Sequence, residues 1–95
     1  MKDNDTGYAR EKFSTAIELM TGPEEFSRRV AKGWTEIAAL EETYQFESEE
    51  LQRDFDWLMS KRAQFAVGDG ARAKATDQEC DQVRHRIMKI HAMLG

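Results

Sequence analysis

The sequence predicts an all-α protein, a small antiparallel (up-down) bundle of about four helices. Residues with high helix propensity dominate the composition, and runs of β-branched residues are scarce. Apolar residues recur at three- and four-residue intervals in four segments, which places them along one face of each predicted helix. Short connections join these segments and favour antiparallel packing of consecutive helices.

The composition indicates a single domain spanning residues 1–95, with residues 1–5 expected to fray. Apolar residues make up 40% and charged residues 34%, which suits a compact core with a heavily solvated exterior. No apolar run approaches the roughly 20 residues that span a bilayer, and the polar amino terminus has no signal-peptide pattern. A single cysteine cannot form an internal disulfide. We therefore predict a cytoplasmic protein with no membrane contact.

The first predicted helix covers residues 6–21. Asp5 or Thr6 can cap its start by accepting a backbone hydrogen bond, and Gly22 can adopt the left-handed conformation that ends it. Its apolar face comprises Ala9, Phe13, Ala16, Ile17 and Met20.

The segment GPEEF (22–26) is interpreted as a tight connection between the first two helices. Pro23 cannot continue the first helix and fits equally well as the first residue of the second, where its missing N–H costs nothing. Glu24 and Glu25 follow in the first turn, where the helix dipole favours negative charge. Gly33 costs about 1 kcal/mol in mid-helix relative to alanine, so it either permits a close helix approach or kinks the chain. The buried face comprises Phe26, Val30, Gly33, Trp34, Ile37 and Leu40.

The segment TYQFES (43–48) interrupts the helical pattern, and Ser48 is predicted to cap a third helix. Glu49 and Glu50 occupy its first turn. The segment VGDG (67–70) marks the next break. The apolar face of this third helix comprises Leu51, Phe55, Leu58, Met59 and Phe65.

The fourth helix has the clearest start signal, because Thr76-Asp77-Gln78-Glu79 matches a capping box. Residues 66–75, which precede it, are left open between a loop and an extra helical turn. The apolar face of the fourth helix comprises Cys80, Val83, Ile87, Ile90 and Leu94.

Residues 79–91 hold Cys80, the only cysteine, and both histidines, His85 and His91. Metal ligands on one helix need spacings of three or four, whereas the histidines are six positions apart and Cys80 lies five before His85. Asp81 shares a face with His85, but an aspartate–histidine pair without a nucleophile is typical of a surface contact. We predict no catalytic residue, no metal site and no cofactor.

The segment GDGARA (68–73) formally fits a variant of the dinucleotide-binding fingerprint. That motif binds pyrophosphate in a strand–turn–helix unit, whereas a helix is predicted before this segment. We interpret it as a glycine-permitted turn.

Charges are distributed unevenly along the chain, whose net charge is −4. Residues 36–56 contain eight acids and one base, whereas residues 57–95 contain seven bases and four acids. Such asymmetry can steer association, but the pattern favours a solvated acidic connection.

Bases on the second and fourth helices would bind nucleic-acid phosphates if they shared a face. The acidic net charge favours instead local pairing with acids, as Glu24–Arg28, Glu25–Arg29 and Lys32–Glu36. The six bases are Arg28, Arg29, Lys32, Arg84, Arg86 and Lys89.

Three aromatic residues have no obvious packing position, and such residues are typical of protein interfaces: Tyr44, Phe46 and Trp57. Met88 and Met93 flank the apolar face of the fourth helix and would widen it towards a partner, so Met88 joins the predicted partner surface. Phe46 can equally pack on Leu51 to close the start of the third helix, and both interpretations stay open.

These patterns together predict a non-enzymatic module that acts by protein–protein interaction or self-association, with a protein partner or a second copy. The alternative is a nucleic-acid-associated regulator that uses the six bases.

Overall fold

A computed structural model describes residues 5–68 and 70–94. The helices of this part of the chain are α1 (Thr6–Met20), α2 (Phe26–Ala38), α3 (Glu49–Met59), α4 (Arg62–Phe65) and α5 (Asp77–Leu94). No strand occurs in these ranges, so the predicted all-α class is confirmed. The prediction of fraying at residues 1–5 falls largely on residues 1–4, which lie outside the described residues.

The core lies between the three longest helices. The α1 helix packs against α2 and α5, while α3 packs against α5 and α4 against α2. The predicted apolar faces supply this core, and its largest fully buried side chains include Trp34, Phe13 and Phe65. Within the described ranges, no helix combines the length and apolar character needed to cross a membrane.

The predicted capping signals form as expected at three helix starts. The Asp5 carboxylate accepts from the Gly7 amide at 3.0 Å, and the Ser48 hydroxyl accepts from the Leu51 amide at 3.3 Å. At α5, the Glu79 amide donates to Thr76 Oγ1 at 3.1 Å and the Thr76 amide donates to Glu79 Oε1 at 3.2 Å. Caps depend on residues within one turn, so the sequence predicts them directly.

The predicted connection between the first two helices is confirmed, but the alternative in which Pro23 begins the second helix is wrong, because α2 begins at Phe26 with Glu25 as its cap. The first helical hydrogen bonds run from the Arg28 and Arg29 amides to the Glu25 carbonyl, at 3.1 and 3.0 Å. After this connection, α2 packs against α1.

The predicted third helix is divided into α3 and the short α4. The Leu58 carbonyl accepts from the Trp34 indole Nε1 at 2.7 Å and from the Lys61 amide at 3.1 Å. These bonds replace the hydrogen bond that would continue the helix. The α3 helix thus ends where a tertiary hydrogen bond reaches its last turn, although the predicted apolar face extends to Phe65.

Residues 66–75 contain no helix in their described part, which decides between the two alternatives. The loop is attached to the core by the Lys74 amide, which donates to the Gln64 carbonyl at 2.7 Å, and by the buried side chain of Ala73. Gly70 has a φ of +73°, which glycine adopts without strain. The GDGARA segment is thus a turn after a helix, although its Asp69 lies outside the described residues.

Gly33 lies where α2 approaches α1 closely. A Cβ atom added at this position would lie 2.8 Å from Met20 Cγ and 3.1 Å from the Ala16 carbonyl oxygen. Of the two predicted roles, the structure therefore shows the close helix approach.

We expect Gly33→Ala to lower the free energy of unfolding by about 1–2 kcal/mol. The overpacking cost exceeds the approximately 1 kcal/mol that alanine gains in helix propensity. Urea denaturation followed by circular dichroism measures the change. Gly68→Ala is the control, because nothing lies within 4 Å of a Cβ there and its stability should be unchanged. A Gly33→Ala protein as stable as the control would contradict the close approach.

Candidate functional site

Most of the bases predicted as phosphate contacts are paired with acids of the same chain. On α2, Arg28 lies 3.8 Å from Glu25, and Lys32 lies 2.7 Å from Glu24. On α5, Arg84 Nη2 lies 2.7 Å from Asp81. The predicted Glu24–Arg28 pair does not form, because Glu24 lies before the start of α2. The predicted Lys32–Glu36 pair does not form either: Lys32 contacts Glu24, and Glu36 contacts Lys12 at 3.2 Å.

A buried carboxylate joins α3 to α5. Asp54 is 7% exposed and lies 2.9 Å from Arg86 Nη1 and 2.8 Å from Lys89 Nζ. The hydrogen bonds that Lys89 makes to Asp54 and Glu50 raise the pKa of its ammonium. The guanidinium of Arg86 also lies 4.1 Å from the centre of the Trp57 ring. Part of the uneven charge distribution along the chain is therefore balanced within the molecule, because acids of α3 form ion pairs with bases of α5.

Tyr44 and Phe46 do not belong to an exposed partner surface, which corrects that interpretation. They are 3% and 4% exposed, because the α2–α3 connection folds over the core. The Phe46 ring packs at 5.1 Å from the Phe55 ring and 6.4 Å from the Phe13 ring, measured between centroids. Leu51 is buried beside them, so this region follows the alternative in which Phe46 closes the start of the third helix.

The other two residues of the predicted partner surface retain exposure. Trp57 is partly buried. The Lys61 ammonium lies 4.8 Å from the centre of its ring and the Arg86 guanidinium lies 4.1 Å from it. Met88 is 44% exposed and projects from α5. Met88 is therefore the residue of this set that a partner can reach most easily.

The side chains of Cys80, His85 and His91 lie in three different environments. Cys80 is fully buried, His85 is exposed, and His91 lines a shallow polar depression beside Arg10. Asp81 pairs with Arg84, and the described residues contain no group of three or more potential metal ligands. The structure does not bring these side chains together.

Burial raises the pKa of the Cys80 thiol, and the nearby acids of the first turn of α5 add to this effect. As the pH rises, the Cys80 thiol therefore loses its proton at a lower pH in the unfolded chain than in the folded protein. The stabilising contribution is complete below the pKa of an unfolded cysteine, about 8.5, and disappears as the pH rises through the folded pKa.

We expect the stability of the protein to fall with pH above about 8.5, and to fall less steeply in Cys80→Ala. Urea denaturation at pH 7 to 10 gives the two slopes, and comparing slopes removes the effect of the cavity that alanine leaves. The variant keeps the contributions of Lys12 and Lys89, whose raised pKa values act in the same direction. Identical slopes would contradict the prediction.

A groove of about 440 Å³ lies where α1, α2 and α5 meet, and we call it the α1–α2–α5 groove. No carboxylate is among the described residues that line it. The lining is formed mainly by Ile17, Met20, Phe26, Arg29, Arg84 and Met88.

Arg29 is the charged residue that distinguishes this groove. Its Nη1 donates to the Met20 carbonyl at 2.9 Å, and its guanidinium lies 5.5 Å from the centre of the Phe26 ring. Its Nε is buried without a hydrogen-bond partner, and no carboxylate pairs with Arg29 in the described ranges. The predicted Glu25–Arg29 pair does not form, because Glu25 contacts Arg28 and Arg72. The groove can therefore offer a cation next to apolar surface.

Sequence reasoning assigned Arg29 and Arg84 to one candidate surface and Met88 to another, whereas the fold lines one groove with all three. The sequence contains little indication of this groove. Ile17 and Phe26 belong to faces predicted to be fully in the core, whereas in the structure they are only partly buried. Comparison of the chain with protein-family models, with curated proteins and with solved structures finds no match in any of the three. The function therefore has to be inferred from the chain's own residues.

Proposed function

We propose that the protein binds another protein through the α1–α2–α5 groove, either a different protein or a second copy of itself. The observation that supports this proposal most directly is an open, largely apolar groove in a highly charged chain, with the exposed Met88 among its lining residues. Apolar patches surrounded by polar residues are typical of protein-binding surfaces, and methionine and arginine are enriched there.

Covering the groove would remove apolar surface from water. Ile17 and Phe26 pack against the core while remaining partly exposed, and both line the groove. Each 100 Å² of apolar surface that a partner buries contributes about 2.5 kcal/mol before the cost of association is subtracted. A partner that covers these residues together with Met88 thus has a physical reason to bind.

The alternative function, nucleic-acid binding, has less support from the charges. Five of its six candidate bases lie 3.8 Å or less from an acid: Arg28, Lys32, Arg84, Arg86 and Lys89. Bases that are already neutralised gain less from phosphate contacts and release fewer counterions. Salt-sensitive retention on DNA or RNA that is abolished by reversing the charge of Arg28 and Arg29 would favour the alternative instead.

Photo-crosslinking at the exposed methionines of α5 tests the proposed function. Benzoylphenylalanine would replace either Met88, in the groove, or Met93, which is 49% exposed and outside the groove. We expect protein adducts from position 88 in extracts of the native host, and few from position 93. Sedimentation of the purified chain across a dilution series then distinguishes a second copy from a different partner.

Two results would contradict the proposed function. Equal adducts from positions 88 and 93 would show that the groove has no preference for protein. No adduct from either position, together with a monomer at every concentration, would remove both kinds of partner.

A further inference from the structure

We propose that the groove binds an acidic amphipathic segment of a different protein, in which one carboxylate pairs with Arg29 and neighbouring apolar side chains fill the groove. This inference rests on the proposed function, because it names the chemistry of the partner for the same groove. Three observations support it: no carboxylate of the described residues pairs with Arg29, Arg84 is neutralised by Asp81, and the groove has an apolar lining.

Arg29 has hydrogen-bonding capacity that the chain leaves unused. A guanidinium has five N–H donors, and the Met20 carbonyl accepts from one nitrogen, Nη1. Glu25, one helical turn before Arg29, is engaged at 3.8 Å by Arg28 and at 2.6 Å by Arg72. A charge beside apolar groups is best stabilised by an ion pair, and a carboxylate matches the planar guanidinium in shape and charge. The complement of Arg29 is therefore a carboxylate.

Arg84 limits the number of charges that the partner needs. Its Nε and Nη2 donate to Asp81 Oδ1 at 3.2 and 2.7 Å, so its charge is offset within α5. Its Nη1 lies 3.2 Å from the sulfur of Met88, which positions both side chains along the groove. Among the described residues that line the groove, Arg29 is thus the one unneutralised cation, in an apolar lining. That pattern fits one carboxylate with apolar neighbours and does not fit a polyanion such as nucleic acid.

The size of the groove agrees with a partner that inserts side chains. A volume of about 440 Å³ lies within the range of roughly 300–1,000 Å³ that is usual for ligand sites. Amphipathic segments commonly place a few apolar side chains from one face into such a groove.

The acid-rich segment of this chain does not offer the required combination, which argues against a second copy as the occupant. Five of the eight acids of residues 36–56 are exposed, but the large apolar side chains of this segment lie inside the core. Tyr44, Phe46 and Phe55 are each less than 5% exposed. A second copy could therefore present the charge of this segment without its apolar groups.

Selection from a display library of random 12-residue peptides on the full chain provides an unbiased probe. We expect the enriched peptides to share a glutamate or aspartate flanked by at least two large apolar residues. Their affinity, measured by fluorescence polarisation of labelled copies, should fall as salt increases, because an ion pair contributes to binding.

Two matched pairs of variants locate the binding site. Arg29→Met removes the groove cation, and Arg28→Met removes a neighbouring arginine that does not line the groove. Met88→Glu adds a negative charge in the groove, and Met93→Glu adds one outside it. We expect Arg29→Met and Met88→Glu each to weaken peptide binding about tenfold or more, and the two control variants to change it less than about twofold. Because Met88 is exposed, Met88→Glu keeps the test valid even if the loss of the Arg29–Met20 hydrogen bond unfolds the first variant.

Every other outcome overturns the inference, and some leave the proposed function intact. Enriched peptides without an acid, or peptides that bind Met88→Glu as tightly as Met93→Glu, would remove the assigned chemistry while adducts at position 88 would still support protein binding. Self-association that Met88→Glu abolishes would make a second copy the occupant. No enriched peptide at all would overturn the inference, whereas the crosslinking result decides the proposed function.

Discussion

Replacing Trp34 with alanine is expected to lower the free energy of unfolding by about 3–5 kcal/mol, the usual cost of truncating a buried aromatic side chain. Trp34 is 2% exposed and lies among the largest buried side chains of the core. Its indole Nε1 also donates to the Leu58 carbonyl at 2.7 Å, which ties α2 to the end of α3. Small domains have a total stability of about 5–15 kcal/mol, so much of the variant protein should unfold at low urea concentration.

Trp34→Phe separates the hydrogen bond from the apolar volume. Phenylalanine keeps most of the buried ring, and the Leu58 carbonyl retains its bond from the Lys61 amide, so we expect a smaller loss of about 1–2 kcal/mol. Urea denaturation followed by far-ultraviolet circular dichroism measures both variants without depending on tryptophan fluorescence. Trp57→Phe is the control, because Trp57 is only partly buried. A Trp34→Phe protein no less stable than this control would show that the indole bond does not matter.

Asp54→Asn is expected to destabilise the protein by about 1–3 kcal/mol. The substitution replaces the negatively charged carboxylate with a neutral amide of similar volume, so the ion pairs are lost and the packing is kept. The described structure places Asp54 against both Arg86 and Lys89, with 7% of its surface exposed. The partners are partly exposed, so water can solvate them after the substitution and limit the loss. Thermal and urea denaturation at low and high salt measure the effect.

The matched control for Asp54→Asn is Asp56→Asn on the same helix. Asp56 is exposed and accepts a hydrogen bond from Gln52 at 2.9 Å, so its substitution should change the stability by less than about 0.5 kcal/mol. A double-mutant cycle with Arg86→Met should give a coupling between positions 54 and 86 of about 0.5–3 kcal/mol. Equal effects of the two asparagine variants, with no coupling, would mean that the α3–α5 ion pairs contribute no stability.

The boundaries of α3 and α4 show where sequence reasoning is insufficient. The spacing of Leu51, Phe55, Leu58, Met59 and Phe65, with Arg62 on the same face, predicted one continuous helix. The break coincides with a hydrogen bond to the Leu58 carbonyl from the Trp34 indole, which lies 24 residues before Leu58 in the sequence. Local patterns contain no information about such a partner.

The candidate site shows the same division more strongly. The sequence identified Arg29, Arg84 and Met88 as residues of interest, but it placed them in two different surfaces. It also left Tyr44 and Phe46 open between interface and core, because their packing partners Phe13 and Phe55 lie in other helices. Only the packing of α1, α2 and α5 defines which exposed side chains become neighbours.

The sequence by itself determined the fold class, the apolar faces of the helices and the caps at Ser48 and Thr76, and it limited the cap of α1 to Asp5 or Thr6. These features depend on side chains within a turn or two of each other, where the helical repeat fixes their relative positions. The tertiary structure alone decided the start of α2, the end of α3, the burial of Asp54 and the groove containing Arg29. Each of these depends on contacts between residues far apart in the chain, whose geometry is set by how the helices pack.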